Sequence, residues 1–121
     1  MKRKEDLDKA MEWAFKNLLG KCYYCPAIKS YVKFTEGGIK HSVKSKTYPT
    51  KIKLIYLSVQ MLRNAQKIWE GEDKKSRAEI KRIYHLKSST IIDGISKDVY
   101  IVLREMKDGT VYYDHNTQKK P

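Results

Sequence analysis

The sequence has no long hydrophobic run, and it contains only two cysteines. No stretch approaches the roughly 20 apolar residues of a membrane-spanning helix. The amino-terminal segment MKRKEDLDKAMEWAFKNLLGK carries acidic residues and lacks the apolar core of a signal peptide. A chain of 121 residues can bury a core without disulfides. These features predict a single domain over residues 1–121 that has no membrane partner and is cytoplasmic, with a domain delivered as part of a larger protein as the alternative.

Several catalytic signatures are also missing. The sequence has no glycine-rich phosphate loop, no GxSxG or HExxH motif, and no carboxylate cluster of the kind that holds two metal ions. Cys22 and Cys25 form a Cys-x-x-Cys pair, which is half of a four-ligand zinc site. No second cysteine pair exists, so a zinc site would need two distant histidines as its other ligands. The alternative interpretations of the two cysteines are a redox pair and two ordinary thiols. We expect no metal and no other cofactor.

Acidic residues are outnumbered. Lys and Arg total 26 against 14 Asp and Glu, which gives a net charge of +12 at pH 7. A net charge this large indicates the kind of partner that the protein binds and says little about its fold. The commonest polyanionic partner is nucleic acid. Most of the excess is lysine, which binds phosphate as a point charge and reads little base sequence. An acidic immunity or inhibitor protein is a weaker alternative partner.

Hydrophobic periodicity predicts an α+β fold. Apolar residues recur at helical spacing up to Gly20, which gives an amino-terminal helix within residues 1–20. A longer helix is predicted to begin near Pro49, with an apolar stripe that extends to Trp69. Alternating segments predict five strands, at residues 29–35, 39–43, 80–92, 98–106 and 111–117. Residues 118–121 are predicted to be a loose tail. The pattern indicates two helices packed on one face of an antiparallel sheet.

Asp108 and Gly109 separate two alternating segments, which is a strong hairpin signal. A two-residue loop at these positions would pair Arg104 with Tyr113 and Val102 with His115. Because side chains alternate between faces, Tyr100, Arg104, Tyr113 and His115 are then predicted to share one face, opposite Ile101, Leu103 and Tyr112.

His41 and His85 are each followed closely by lysine and serine, and His115 is predicted to share a sheet face with Arg104, a combination that suits RNA cleavage. Imidazoles can remove a proton from the attacking 2′-hydroxyl and return one to the leaving 5′-oxygen, while a cation stabilises the phosphoryl oxygens. The candidate catalytic residues are His41, His85, Arg104, Tyr113 and His115. The candidate nucleic-acid-binding residues are Lys40, Ser42, Lys44, Lys46, Lys87 and Tyr100. The plainer alternatives are a solvated His41, cross-strand surface pairing in the hairpin, and lysines that only solubilise.

The segment GGIKHSVKSKT, a long helix and a carboxy-terminal meander ending GTVYYDHNTQ resemble the barnase–EndoU–colicin–RelE-like ribonuclease fold. The closest versions occur in phage and polymorphic toxin systems and in large polyvalent proteins of mobile elements. The resemblance covers residues 29–117. It implies a helical part followed by a curved four- or five-stranded antiparallel sheet, with an RNA-cleaving site on the exposed sheet face. His41, with Lys40 and Ser42 beside it, is the site residue that the resemblance carries over.

Two functions follow as hypotheses. The first is a metal-independent endoribonuclease, a toxin or mobile-element effector that cuts transfer RNA or messenger RNA and leaves a 2′,3′-cyclic phosphate. The second is a non-catalytic RNA- or DNA-binding module that uses the same basic face. The enzyme predicts convergent, hydrogen-bonded imidazole and guanidinium groups, whereas the binding module predicts cations spread over a convex face.

Overall fold

The described strands form one sheet, and all of the described helices precede the two long strands. The computed structural model describes residues 2–43, 49–73 and 75–118. Its elements are α1 (Lys2–Asn17), β1 (Cys22–Cys25), β2 (Ser30–Lys33), α2 (Glu36–Val43), α3 (Pro49–Tyr56), α4 (Ser58–Asn64), β3 (Gln66–Gly71), β4 (Ile80–Ile92), β5 (Ile95–Met106) and β6 (Val111–Thr117). The strand order is β1-β2-β6-β5-β4-β3, and only β2 and β6 pair in parallel among these neighbours.

The two faces of the sheet differ in what covers them. Alternate residues of β4 and β5 join helical side chains such as Leu62 in the main core, among them Leu86, Ile101 and Leu103. The intervening residues form a smaller apolar cluster contributed by β4 and β5 alone, which consists of Ile80, Ile83, Val102 and Met106. We call this second side, which carries Trp69, His85, Val102, Arg104 and His115, the open face. The alternation follows from the two-residue period of a strand.

The α+β class is confirmed, but the predicted numbers of helices and strands are wrong. Within the described residues there are four helices and six strands. The predicted strand at residues 39–43 is part of helix α2. Thr35 precedes this helix, and its hydroxyl oxygen accepts a hydrogen bond from the Gly38 amide at 3.1 Å. A threonine N-cap followed by Glu36 in the first turn is a helix-start signal, and it outweighs the short polar alternation that follows.

The predicted long helix is also divided. It breaks between α3 and α4, where the Ser58 hydroxyl donates to the carbonyls of Leu54 and Ile55. After Asn64 the backbone becomes extended at Ala65, with φ −73° and ψ 154°. Trp69 therefore lies in the edge strand β3 and not at the end of a helical stripe.

The CYYC segment forms β1, which the sequence did not indicate. Cys22 is exposed and Cys25 is buried. Three residues of strand separate their Cα atoms by about 10 Å and direct the side chains to opposite faces. Burial raises the pKa of the Cys25 thiol, which disfavours the thiolate that metal binding and redox exchange require. In this conformation the two thiols do not form a joint site.

Candidate functional site

The hairpin between β5 and β6 turns through three residues, Lys107–Gly109, and not through the predicted two. The Met106 amide donates to the Thr110 carbonyl at 2.8 Å, and the Gly109 amide donates to the Met106 carbonyl at 2.9 Å. Gly109 has φ +91°, the left-handed conformation that closes a loop of this length. The extra loop residue shifts the register by one.

A β-bulge at Asp114 then compensates for that shift. Leu103 pairs with Tyr113 and Val102 pairs with His115, so Asp114 has no opposite residue in β5. The predicted Val102–His115 pair is thus confirmed, whereas the predicted Arg104–Tyr113 pair is wrong, because Arg104 pairs with Tyr112. Bulges re-aim side chains, and this one lets two consecutive residues of β6 contact each other on the open face.

The structure corrects the prediction that Tyr113 shares the face of Arg104 and His115. Tyr113 is 1% exposed and stacks on Phe34, with ring centroids 4.6 Å apart. Its hydroxyl accepts a hydrogen bond from the Asn116 amide at 2.6 Å. A buried, hydrogen-bonded phenol cannot contact a ligand on the open face, so we exclude Tyr113 from the candidate site.

Helix α2 lies against β6 and brings His41 to the bulge. A Cβ atom at Gly38 would stand 2.2 Å from the carbonyl oxygen of Tyr113, so the helix backbone is nearly in contact with the strand. His41 lies about one turn further along the same helix. Its ring centroid is 4.6 Å from that of His115. Close approach at Gly38 therefore positions His41 beside Asp114 and His115.

Gly38→Ala is expected to lower the free energy of unfolding by about 1–3 kcal/mol, because the added methyl group meets backbone that cannot move alone. Gly37→Ala is the matched control, since a Cβ atom there meets nothing within 4 Å. The control should raise stability by roughly 0.5–1 kcal/mol, the usual difference between alanine and glycine in a helix. Denaturant unfolding of both variants tests this, and equal stabilities would contradict the proposed close packing.

Four charged or titratable side chains meet at the bulge. We call this group the Asp114 cluster, and its members are His41, Arg104, Asp114 and His115. Asp114 Oδ2 lies 2.6 Å from His115 Nδ1 and 3.8 Å from His41 Nδ1, and Asp114 Oδ1 lies 3.2 Å from Arg104 Nε. The Asp114 side chain is 19% exposed, while that of His41 is 53% exposed. The carboxylate thus forms the floor of the cluster and His41 its outer edge.

Opposing influences act on the pKa of Asp114. Burial raises it, but the hydrogen bond with His115 and the charges of Arg104 and the two histidines outweigh burial, so the pKa lies below its ordinary value of 3.8. Asp114 is therefore ionised at neutral pH. Its stabilising contribution is present above pH 3.8 and is lost as the pH falls through the lowered value.

Two arginines, Arg104 and Arg77, interact electrostatically with Asp114, and their hydrogen bonding differs. The Nε atom of Arg104 is buried and has no hydrogen-bond partner among the described residues, although it forms an ion pair with Asp114. Arg77, in the β3–β4 connection, has a raised pKa, chiefly through its hydrogen bond to Asp73 and to a smaller degree through the charge of Asp114. The polar composition of that connection gave no signal for this electrostatic interaction.

His41, Asp114 and His115 are also residues that could hold a metal ion, with one ligand atom from each lying within 4.8 Å of the others. The separation of 2.6 Å between His115 Nδ1 and Asp114 Oδ2 is that of a hydrogen bond. Two ligands of a tetrahedral zinc ion stand farther apart, at about 3.3 Å for bonds of about 2.0 Å. The described geometry is that of an imidazole–carboxylate pair.

The remaining predicted residues that the structure describes are not among the four side chains of the cluster. His85 is two strands from His115, and Lys87 and Tyr100 are paired with each other further along the open face. Lys40, on α2, forms an exposed ion pair with Glu36 at 3.4 Å, and Ser42 lies in the same helix. Lys44 and Lys46 lie outside the described residues.

Asp114 is the site residue that sequence reasoning missed. It was assigned to the alternation of β6, and only its position next to a histidine, in the sequence YYDHN, hinted at a pair. The bulge that brings it to the open face depends on the three-residue turn.

The structure defines a basic α+β domain with an imidazole–carboxylate–guanidinium cluster on an open sheet face. Residues 2–113 match the family model of large polyvalent protein-associated domain 3, and the chain belongs to this family. The large polyvalent protein context suggested by the resemblance is thereby confirmed. No curated protein and no solved structure matches the chain. None of the helices in the described residues is long and apolar enough to cross a membrane.

Proposed function

We propose that this domain is a metal-independent endoribonuclease that cleaves RNA at the Asp114 cluster. The observation that carries the proposal is the convergence of His41, His115 and Arg104, from three different elements, on a single partly buried carboxylate. Sequence reasoning had named these three residues, and the enzyme hypothesis required such convergence. The resemblance to the barnase–EndoU–colicin–RelE-like ribonucleases supports the same function.

The chemistry follows from the groups at the cluster. One imidazole takes the proton of the 2′-hydroxyl as its oxygen bonds to the adjacent phosphorus, and the second, protonated imidazole gives a proton to the 5′-oxygen as the phosphorus–oxygen bond breaks. Both Nδ1 atoms face Asp114, so each histidine would reach RNA through Nε2. Asp114 orients the rings, and Arg104 stabilises the charge on the phosphoryl oxygens.

The biological setting is part of the proposal. The family membership places the domain among those associated with large polyvalent proteins. A toxin or mobile-element effector of this kind would act on transfer RNA or messenger RNA in the cytoplasm. An acidic immunity or inhibitor protein would suit the net charge of +12.

The proposal is tested by incubating the protein with transfer RNA, messenger RNA and single-stranded DNA in EDTA. RNA should be cut and DNA spared, because DNA lacks the attacking 2′-hydroxyl. RNA that stays intact over hours at several pH values, with protein shown to be folded, would reject the enzyme. The alternative would then be a nucleic-acid-binding module, which the net charge of +12 favours independently.

Either function predicts RNA binding that weakens steeply with salt, because each phosphate neutralised by a cation releases condensed counterions. Affinity for single-stranded RNA should fall by at least about tenfold between 50 and 200 mM salt. Charge reversal at Lys44 and Lys46 should weaken binding to all sequences alike and reduce the salt slope. Affinity that does not change with salt would contradict an electrostatic interface.

A further inference from the structure

A row of directly paired residues crosses the open face from the Asp114 cluster to the sheet edge. His115 pairs with Val102, Val102 with His85, and His85 with Trp69. Directly opposite residues of neighbouring strands project from the same face. With strands about 4.8 Å apart, the His85 backbone lies about 10 Å from that of His115, and the Trp69 backbone about 14 Å. The aromatic pair of Trp69 and His85 is therefore separated from the proposed cleavage site by a distance that a few nucleotides can span.

Trp69 is fixed in place although it lies in an edge strand. Its ring centroid is 4.6 Å from that of His85, with 33° between the ring planes. A Cβ atom at Gly71 would lie 2.5 Å from the indole, so the ring occupies the space that this glycine leaves. The residue is nevertheless 39% exposed. A held but exposed indole can stack against a ligand at low cost in side-chain entropy.

A cation and an aromatic ring lie beside this pair, and an exposed ion pair at 3.6 Å joins the cation, Lys87, to Asp98. Lys87 lies two residues from His85 on the same strand, and therefore on the same face, opposite Tyr100. Val102, between the pair and the cluster, is 7% exposed and packs with Ile80 and Ile83 in the smaller apolar cluster. Phosphates can contact the lysine while a base contacts the indole, which is how single-stranded nucleic acids are bound without sequence preference.

We propose that Trp69 and His85 form a base-stacking subsite for single-stranded RNA, a few nucleotides from the phosphate that is cleaved. The existence of the subsite rests on the open face alone, whereas its position relative to a scissile phosphate rests on the proposed ribonuclease function. The subsite binds an unpaired base by its π face, so it favours loops and single strands over duplex RNA. His85 then acts in binding rather than in proton transfer.

Tryptophan fluorescence tests the subsite directly, because the chain has only two tryptophans. In the Trp13→Phe variant the remaining signal comes from Trp69. A single-stranded DNA oligonucleotide should quench this signal, since stacking needs no 2′-hydroxyl and DNA is not cleaved. An abasic oligonucleotide of equal length should bind through its phosphates without the same quenching. Equal quenching by the two, or none by either, would overturn the subsite.

Substitutions supply the second measurement. Trp69→Leu should weaken oligonucleotide binding by about 5- to 100-fold, and Trp69→Phe should weaken it much less, because stacking needs a flat ring. If RNA is cleaved, Trp69→Leu should raise KM and leave kcat nearly unchanged, which is the signature of lost uniform binding. A folded Trp69→Leu variant that binds as tightly as the wild type would reject the subsite. Quenching without any cleavage would reject the ribonuclease and leave the subsite standing.

Discussion

His41→Ala is expected to lower the rate of RNA cleavage by about 10²- to 10⁴-fold, the usual cost of removing a general acid or base. RNA affinity should change by no more than a few fold, because the ring is one neutral or singly charged group on a surface with a net charge of +12. The fold should tolerate the change, since the His41 side chain is 53% exposed. Single-turnover cleavage and equilibrium binding measure the two effects separately.

His85→Ala is the matched control for His41→Ala. It removes another histidine from the same face, two strands away from His115. Its kcat should remain near that of the wild type, with any effect appearing in KM. The rate of the wild type should be bell-shaped in pH, because one imidazole must be neutral while the other is protonated. Equal loss of kcat in the two variants would contradict the assignment of chemistry to the Asp114 cluster.

Arg104→Ala is expected to lower kcat by about 10²- to 10³-fold, the cost of removing a donor that stabilises an oxyanion. The variant should also lose stability, because the partly buried carboxylate of Asp114 would lose a cation 3.2 Å away. Arg104→Lys separates these effects: it restores charge and much of the stability, but it cannot offer the planar fork of donors to a phosphate.

Arg82→Lys is the control for the arginine change. Arg82 lies on β4 and forms an ion pair with Glu70 at 3.3 Å. Its replacement by lysine should leave kcat unchanged. The role given to Arg104 would be wrong if folded Arg104→Ala cleaved RNA as fast as the wild type.

The residues of the site were more predictable than the structure that holds them. His41 was proposed from its basic surroundings and the family resemblance, Arg104 and His115 from the predicted hairpin, and the three side chains converge. The predicted secondary structure around His41 was wrong, because this residue lies on a helix and not on a strand. Short segments such as residues 39–43 satisfy both helical and strand patterns, and here the Thr35 cap and the contact at Gly38 decide between them.

The hairpin shows why register is difficult to predict from sequence. Asp108-Gly109 fits a two-residue loop, yet the chain forms a three-residue loop with Gly109 at positive φ. A one-residue slip moves every side chain to the other face, which is how Tyr113 came to be assigned to the open face. The bulge at Asp114 reverses the slip for His115. Because the three-residue turn and the bulge compensate for each other, they leave no signal in the hydrophobic periodicity of the sequence.

The chemical ends of the RNA fragments test the central claim most directly. Cleavage of an oligoribonucleotide in EDTA should leave a 2′,3′-cyclic phosphate and a 5′-hydroxyl, because the attacking oxygen belongs to the substrate. A single 2′-deoxy substitution at the cleaved nucleotide should abolish cutting at that position. Fragments with 3′-hydroxyl and 5′-phosphate ends, or cleavage that stops in EDTA, would contradict the account by assigning the attack to metal-activated water.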